Sequence, residues 1–299
     1  MASPNLKPIE DQVMVITGAS SGIGLATARA AAQHGAMLVL AARSAETLAH
    51  IVEDINQKGG KSIYVAADVG DREQVEAIAD AALLRFGRID TWVNDAGVSI
   101  YGRLDETVDA DARRLFDTNF WGVLYGSLVA LPYLRRNGGA LINVGSEASD
   151  AVLPLQGLYS ASKHAVKGFT DALRVEIEEL DGAPVSITLI QPTAVDTPFP
   201  QHARNYMERE PKLPTPQIDP SDVADAILKA ATRPMRDVKV GLVAKVDTKL
   251  VSLVPALADK VSALQANRQQ YDEPPRDPEG ALFKPGGGGR VHGFGRARP

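Results

Sequence analysis

The chain has 299 residues, no cysteine and a net charge of -5. That length accommodates one large domain or two small ones, each with a full core. The acidic balance leaves no basic footprint for nucleic acid, and the lack of cysteine excludes disulfides and thiolate metal sites.

The five histidines are scattered without ligand spacing, so no metal centre is expected. Met1 to Asp11 is polar and lacks the apolar core of a signal peptide. Trp121 to Leu134 is mostly apolar but too short to span a bilayer, and Pro132 lies within it. The expectation is a cytoplasmic protein without a membrane partner.

In chain order, the apolar run Val13 to Thr17 reads as a strand buried on both faces. An alanine-rich helix follows over Ile23 to His34, ended by Gly35. Met37 to Ala42 is a second strand. Ser44 caps the next helix, which Gly59-Gly60 stops. Ser62 to Ala67 is a third strand, Arg72 to Phe86 a helix closed by Gly87, and Ile89 to Asn94 a fourth strand. A long helix covers Ala112 to Arg136, interrupted or ended near Pro132. Then come a strand over Ala140 to Gly145, a helix over Leu158 to Glu179 and a strand over Val185 to Gln191. Ser221 to Ala231 is helical and Val238 to Val243 a seventh strand.

Such alternation predicts an α/β fold. The expected form is a Rossmann-type, doubly wound parallel sheet of about seven strands in three α/β/α layers. Residues 1–244 form this domain, with 193–216 as a lid over substrate. Residues 245–270 form an amphipathic helical segment, its apolar positions at Val246, Leu250, Val254, Leu257, Val261 and Leu264 and a break at Pro255. Residues 271–299, rich in proline and glycine, are expected as a loose tail, the alternative being an arm packed on the domain or a neighbouring subunit.

In doubly wound sheets ligands bind at the carboxyl ends of the strands. After strand one stands Thr17-Gly18-Ala19-Ser20-Ser21-Gly22-Ile23-Gly24. Gly18, Gly22 and Gly24 let the backbone turn and approach a pyrophosphate. The N–H groups opening the helix at Ile23 and the hydroxyls of Ser20 and Ser21 supply donors. After strand two there is no carboxylate for a ribose 2′-hydroxyl; Arg43 and Ser44 suit a 2′-phosphate instead. NADP(H) is therefore expected over NAD(H). Asp68 and Val69 after strand three are placed to bond the adenine. Asn94, Ala96 and Gly97 after strand four are placed to floor the adenosine ribose.

Tyr159 and Lys163 lie one helical turn apart, and Ser146 ends strand five. A free tyrosine, with pKa about 10, is too weak a base at neutral pH, and a neighbouring ammonium would lower that value. Phenol, ammonium and hydroxyl together can pass a proton to or from a substrate oxygen.

With these motifs the chain resembles the single-domain short-chain dehydrogenases/reductases over roughly Asp11 to Val243. The resemblance rests on Thr17 to Gly24, Asp68, Asn94-Asp95-Ala96-Gly97, Asn119, Ser146, Tyr159 with Lys163, and Pro192 with Thr197. It implies Tyr159 as general acid/base, Lys163 lowering its pKa and binding ribose, and Ser146 orienting substrate. It also implies that Asn119 supports a water linking the lysine to solvent, and that Pro192, Val195 and Thr197 contact the cofactor. It further implies a small carbonyl or alcohol substrate and a homodimer or homotetramer built on the helices of 112–136 and 158–179. Asp95 and Thr193 depart from the commoner Asn and Gly. Two other readings use the same parts: a nucleotide-sensing regulator without turnover, and a sugar-nucleotide epimerase or dehydratase.

Overall fold

The computed structural model describes residues 4–241, 260, 263 and 266–293. Seven parallel strands form the main sheet: β1 (Val13–Thr17), β2 (Met37–Ala42), β3 (Lys61–Ala66), β4 (Thr91–Asn94), β6 (Gly139–Val144), β7 (Val185–Pro192) and β9 (Asp237–Val240). Two short strands, β5 (Ile100–Tyr101) and β8 (Arg204–Asn205), pair separately beside it. The main order is β3-β2-β1-β4-β6-β7-β9, so strand order reverses between β1 and β4. A crevice opens at that switch. The expected fold is the observed one.

Alternate residues of each strand feed opposite faces. Met14, Ile16, Leu38, Leu40 and Ile142 pack with α1 (Gly22–Gln33), α2 (Ala45–Gln57) and α7 (Pro220–Thr232). Val15, Val39, Trp92, Leu141 and Ile187 pack with α3 (Arg72–Phe86), α5 (Gly122–Asn137) and α6 (Gly157–Arg174). Strands buried on both faces must be apolar throughout, which is why they stood out as continuous runs.

The helix ends follow local chemistry. Asp71 accepts from the N–H groups of Glu73 and Gln74 to open α3, and Gly87 closes it in a left-handed conformation (φ 75°). Asp219 caps α7 with Pro220 in its first turn.

Pro132 does not end its helix as expected. Helix α4 (Asp109–Phe116) continues through a π-helical stretch, Asp117–Trp121, into α5, which runs to Asn137. A proline forfeits one main-chain bond. Buried Ala130, Leu131 and Leu134 keep the last turns seated on the sheet.

The tail differs more. Residues 271–293 are not loose: they pack on the domain, and Leu282 is fully buried. Turn-rich composition hides this, because the anchoring uses main-chain N–H and C=O groups, which every residue has. The expected helix over 246–266 lies outside the described residues, apart from 260, 263 and 266, as does the end of the seventh strand beyond residue 241. Among the described residues no helix is long and apolar enough to cross a membrane.

Candidate active site

The loop after β1 is built around close approaches. Gly18 has φ 72°, and a Cβ there would lie 2.8 Å from the Ala96 nitrogen. A Cβ on Gly22 (φ 54°) would press on the Thr197 side chain at 3.3 Å. Gly24 packs so tightly that a Cβ would meet the Gly18 carbonyl oxygen at 2.5 Å. Gly18 and Gly22 therefore shape a cradle that any side chain would fill, whereas Gly24 serves the seating of α1 on the sheet.

Most of the residues singled out by sequence converge on one large cleft. Its walls include Gly18, Ser20, Ser21, Gly22 and Ile23 from the loop, Arg43 and Ser44 after β2, and Asp68 and Val69 after β3. Ala96 and Gly97 after β4, Ser146 after β6, Tyr159 and Lys163 on α6, and Pro192, Val195 and Thr197 after β7 complete it. A cleft with a glycine cradle after β1, a guanidinium after β2 on one side of it and a phenol beside β6 on the other suits a nicotinamide dinucleotide.

At the chemical end, Ser146 opens a short turn, accepting from the Ala148 N–H at 3.1 Å while the Ser149 hydroxyl accepts from the Ser146 N–H at 3.2 Å. These bonds fix the Ser146 side chain at the end of β6, where it hydrogen-bonds Tyr159. Tyr159 packs against Phe199, with ring centroids 5.5 Å apart. Lys163 is 5% exposed; its ammonium donates to the Val144 carbonyl at 2.9 Å and lies 5.8 Å from the centre of the Tyr159 ring.

The electrostatics depart from expectation. Burial pushes the Tyr159 phenol up to about 12; the Ser146 hydrogen bond opposes this, and the Glu147 and Asp95 carboxylates add to it. Burial lowers Lys163 to about 8, against an upward pull from Asp95. In the protein alone the phenol thus stays high, because burial and the two carboxylates outweigh the Ser146 hydrogen bond.

Asn119 does not line the cleft. The π-helical stretch aims it at Val98: its Nδ2 donates to the Val98 carbonyl at 2.9 Å and to Ser162 Oγ at 3.0 Å, and its Oδ1 accepts from the Val98 N–H at 2.8 Å. The extra residue of a π turn re-aims side chains in this way. It leaves Asn119 one layer behind Gly97, where a Cβ would stand 3.6 Å from its Oδ1 and 3.9 Å from Lys163 Nζ.

Asn94 departs from its expected place under the ribose. Its side chain turns inward, accepting from Trp92 Nε1 at 2.8 Å and donating to Asn143 Oδ1 at 2.9 Å. Strand alternation explains this: Asn94 faces α5, and the residues after it turn to the cleft.

Asp68 is held in an ion pair with Arg114 of α4, and its Oδ1 accepts from the Gly70 N–H at 3.0 Å. Arg43 donates through both terminal nitrogens to the carbonyls of Ala281 and Leu282. Its pKa is lowered by burial first and by the adjacent Arg114 second.

Several wall residues carried no sequence signal. Gln156 bonds Gln269 at 2.9 Å on the far side of the relay, and His202 and Ala281, Pro285 and Gly286 complete the rim. Nothing in local spacing marks these; only the tertiary path brings them in. Asp95, a departure from the commoner Asn, is a half-buried wall residue that accepts from the Gly24 N–H. Leu153 and Phe199 line the cleft, with Leu213 and Pro214. Leu155 instead turns away in a left-handed conformation (φ 62°), and its carbonyl accepts from the Gly102 N–H at 2.8 Å.

Comparison with known proteins agrees with the geometry. A family model described as short chain dehydrogenase matches residues 12–208. The uncharacterized oxidoreductase YxnA of Bacillus subtilis is 45% identical over 288 residues, 95% of this chain and 81% of that protein. The 11-beta-hydroxysteroid dehydrogenase A of Sesamum indicum is 38% identical over 195 residues, 64% of this chain and 55% of that protein. Among solved structures, a short chain dehydrogenase/reductase from Burkholderia phymatum in complex with NAD superposes with TM-score 0.71 at 29% identity, covering 90% of this chain and 98% of that one. An alcohol dehydrogenase from Thermococcus sibiricus complexed with 5-hydroxy-NADP superposes with TM-score 0.67 at 30% identity, covering 77% and 94%. A cradle and cleft at the sheet's switch point, matched over two thirds of the chain, make this protein an oxidoreductase of the short-chain dehydrogenase/reductase family.

Proposed function

We propose that the protein transfers a hydride between NADP(H) and a carbonyl or secondary alcohol, with Tyr159 as general acid/base. The observation that carries this reading is the meeting of Ser146, Tyr159 and Lys163 in the same cleft as the glycine cradle and Arg43. A bound nicotinamide supplies or accepts the hydride. Ser146 polarises the substrate oxygen, and Tyr159 gives that oxygen its proton in reduction or takes it in oxidation. Lys163 holds positive charge beside the phenol and can donate to the nicotinamide ribose. Asn119, behind Gly97, supports a water that links Lys163 to solvent.

NADP(H) is favoured because β2 ends in Ala42-Arg43-Ser44, where Arg43 can fork onto a 2′-phosphate and no carboxylate stands to receive a 2′-hydroxyl. Leu153, Phe199, Leu213 and Pro214 beside the relay favour a carbonyl carried on a largely apolar body. Residues 193–216 act as the lid over it.

The protein assembles as a homodimer or homotetramer through α4–α5 and α6. Large apolar side chains left exposed on or just after those helices, Trp121, Leu128 and Val175, support this.

The test follows NADPH absorbance against a panel of aldehydes, ketones and sugar nucleotides. Oxidation matched to carbonyl loss supports the reductase. Cofactor binding without turnover would replace it with a sensor, and sugar-nucleotide conversion without net oxidation with an epimerase.

A further inference from the structure

The C-terminal segment lies beyond the matched family region, and none of the chemistry above uses it. From Gln269 it runs along the lid, where the Tyr271 N–H donates to the Glu210 carbonyl at 2.9 Å and the Asn205 N–H to the Pro278 carbonyl at 2.8 Å. The Ala281 N–H then donates to the His202 carbonyl at 2.7 Å. Beyond this point the segment crosses the cleft.

Its contacts there fall on the groups that would grip a dinucleotide's phosphates. The Leu282 carbonyl accepts from Arg43 Nη1 at 3.0 Å and from Arg114 Nε at 3.1 Å. His202 Nε2 lies 2.9 Å from the Gly287 carbonyl oxygen. The Gly289 N–H donates to the Ser20 carbonyl at 2.8 Å, and the Gly22 N–H donates to the Arg290 carbonyl at 3.0 Å. Leu282 is fully buried in the apolar cluster that contains Tyr159. Ala281, Pro285 and Gly286 are walls of the same cleft as Gly18, Asp68 and Tyr159.

The geometry assigns residues 278–293 to the dinucleotide site itself, as a strap that closes over bound cofactor and must lift before cofactor enters or leaves. This rests on reading the cleft as a nicotinamide dinucleotide site. The glycines suit the role: at Gly280 a Cβ would lie 2.3 Å from the Ala203 carbonyl oxygen and at Gly286 2.8 Å from the His202 ring, so only bare backbone fits so close to the rim. Two guanidiniums on one carbonyl latch the strap at Leu282. Main-chain bonds to Ser20 and Gly22 latch it at the cradle. Opening breaks both latches and exposes Leu282, so exchange should be slow and set by the strap.

A removable crosslink tests this. The chain has no cysteine, and a Cβ at position 288 would lie 3.0 Å from Thr47 Oγ1, so Thr47→Cys with Gly288→Cys falls within disulfide reach. The double variant is loaded with NADPH or NADH, oxidised, and diluted into excess competing dinucleotide while fluorescence is followed. Release should slow about ten-fold or more on oxidation and recover with reductant, and protein oxidised before loading should not take up cofactor. Equal release from the reduced and oxidised forms, with the disulfide verified by mass, would overturn the strap. Failure of the reduced form to bind either dinucleotide would overturn the cofactor reading beneath it.

Discussion

The Lys163 ammonium donates to the Val144 carbonyl at 2.9 Å, so the relay lysine is tied to the end of the same strand that presents Ser146. Burial lowers Lys163 to about 8 and pushes Tyr159 up to about 12. As pH rises, the lysine therefore loses its proton well before the phenol does. The proposed carbonyl reduction needs a protonated Tyr159 and a charged Lys163, and the lysine fails first. The expected kcat/KM profile for reduction falls on the alkaline side with a midpoint near the Lys163 value of about 8. A midpoint near 12 would instead assign the limb to Tyr159.

Tyr159→Phe removes the hydroxyl and keeps the ring packed on Phe199. Turnover should fall about 100- to 10,000-fold, the usual worth of a positioned proton donor. NADPH affinity, read by fluorescence titration, should stay within a few-fold, because the cradle and Arg43 are untouched. Comparable losses in both would mean that Tyr159 serves to bind cofactor rather than to move a proton.

Asp95 is half-buried, accepts from the Gly24 N–H, and has its pKa raised to about 8 by desolvation against the opposing charge of Lys163. Its carboxylate in turn raises the pKa of Lys163 and of Tyr159. Asp95→Asn removes that negative charge with little change of shape. Lys163 should then lose its proton at lower pH, and the alkaline limb of kcat/KM should move down, with kcat at pH 6 nearly unchanged. A limb that stays in place would show the two groups to be uncoupled.

The parts of this fold that were legible in sequence are those governed by local rules. Buried parallel strands such as Met37–Ala42 must be apolar on both faces, and caps such as Asp71 and stops such as Gly87 act on their own helices. Tyr159, Lys163 and Ser146 were legible because strand ends and one helical turn place them. Asn119 was legible as a residue, but its aim at Val98 depends on a π turn that no periodicity reveals. Asn94 was assigned to the cleft because it ends a strand, yet strand alternation turns its side chain inward. Arg114 meets Leu282 from 168 residues away and Gln156 meets Gln269 from 113, contacts that only the tertiary path creates.

Arg43 tests cofactor choice. Its guanidinium is the cation at the end of β2, and a charge-assisted fork to phosphate contributes about 1.5–3 kcal/mol. Arg43→Ala should raise the NADPH KM about ten- to hundred-fold and move the NADH KM only a few-fold, the conversion being about 1.4 kcal/mol per factor of ten. Steady-state kinetics with both cofactors on one substrate checks this. Equal effects would remove Arg43 from the 2′-phosphate and leave it only its bonds to Ala281 and Leu282.

Asn94 separates a floor for the ribose from a strut in the core. It is 2% exposed and joins Trp92 Nε1, Ser127 Oγ and Asn143 Oδ1 in one network, in which Asn143 also donates to Thr170 Oγ1 at 2.9 Å. Asn94→Ala leaves the buried indole N–H without its acceptor and leaves the Asn143 amide oxygen only the longer bond from Ser127 Oγ at 3.4 Å. Stability should fall by about 2–4 kcal/mol, since each stranded polar group costs about 1–3 kcal/mol. Urea denaturation measures that loss, and fluorescence titration under native conditions measures cofactor affinity. The network predicts a lower unfolding midpoint with cofactor affinity little changed. A large loss of affinity at unchanged stability would return Asn94 to the ribose.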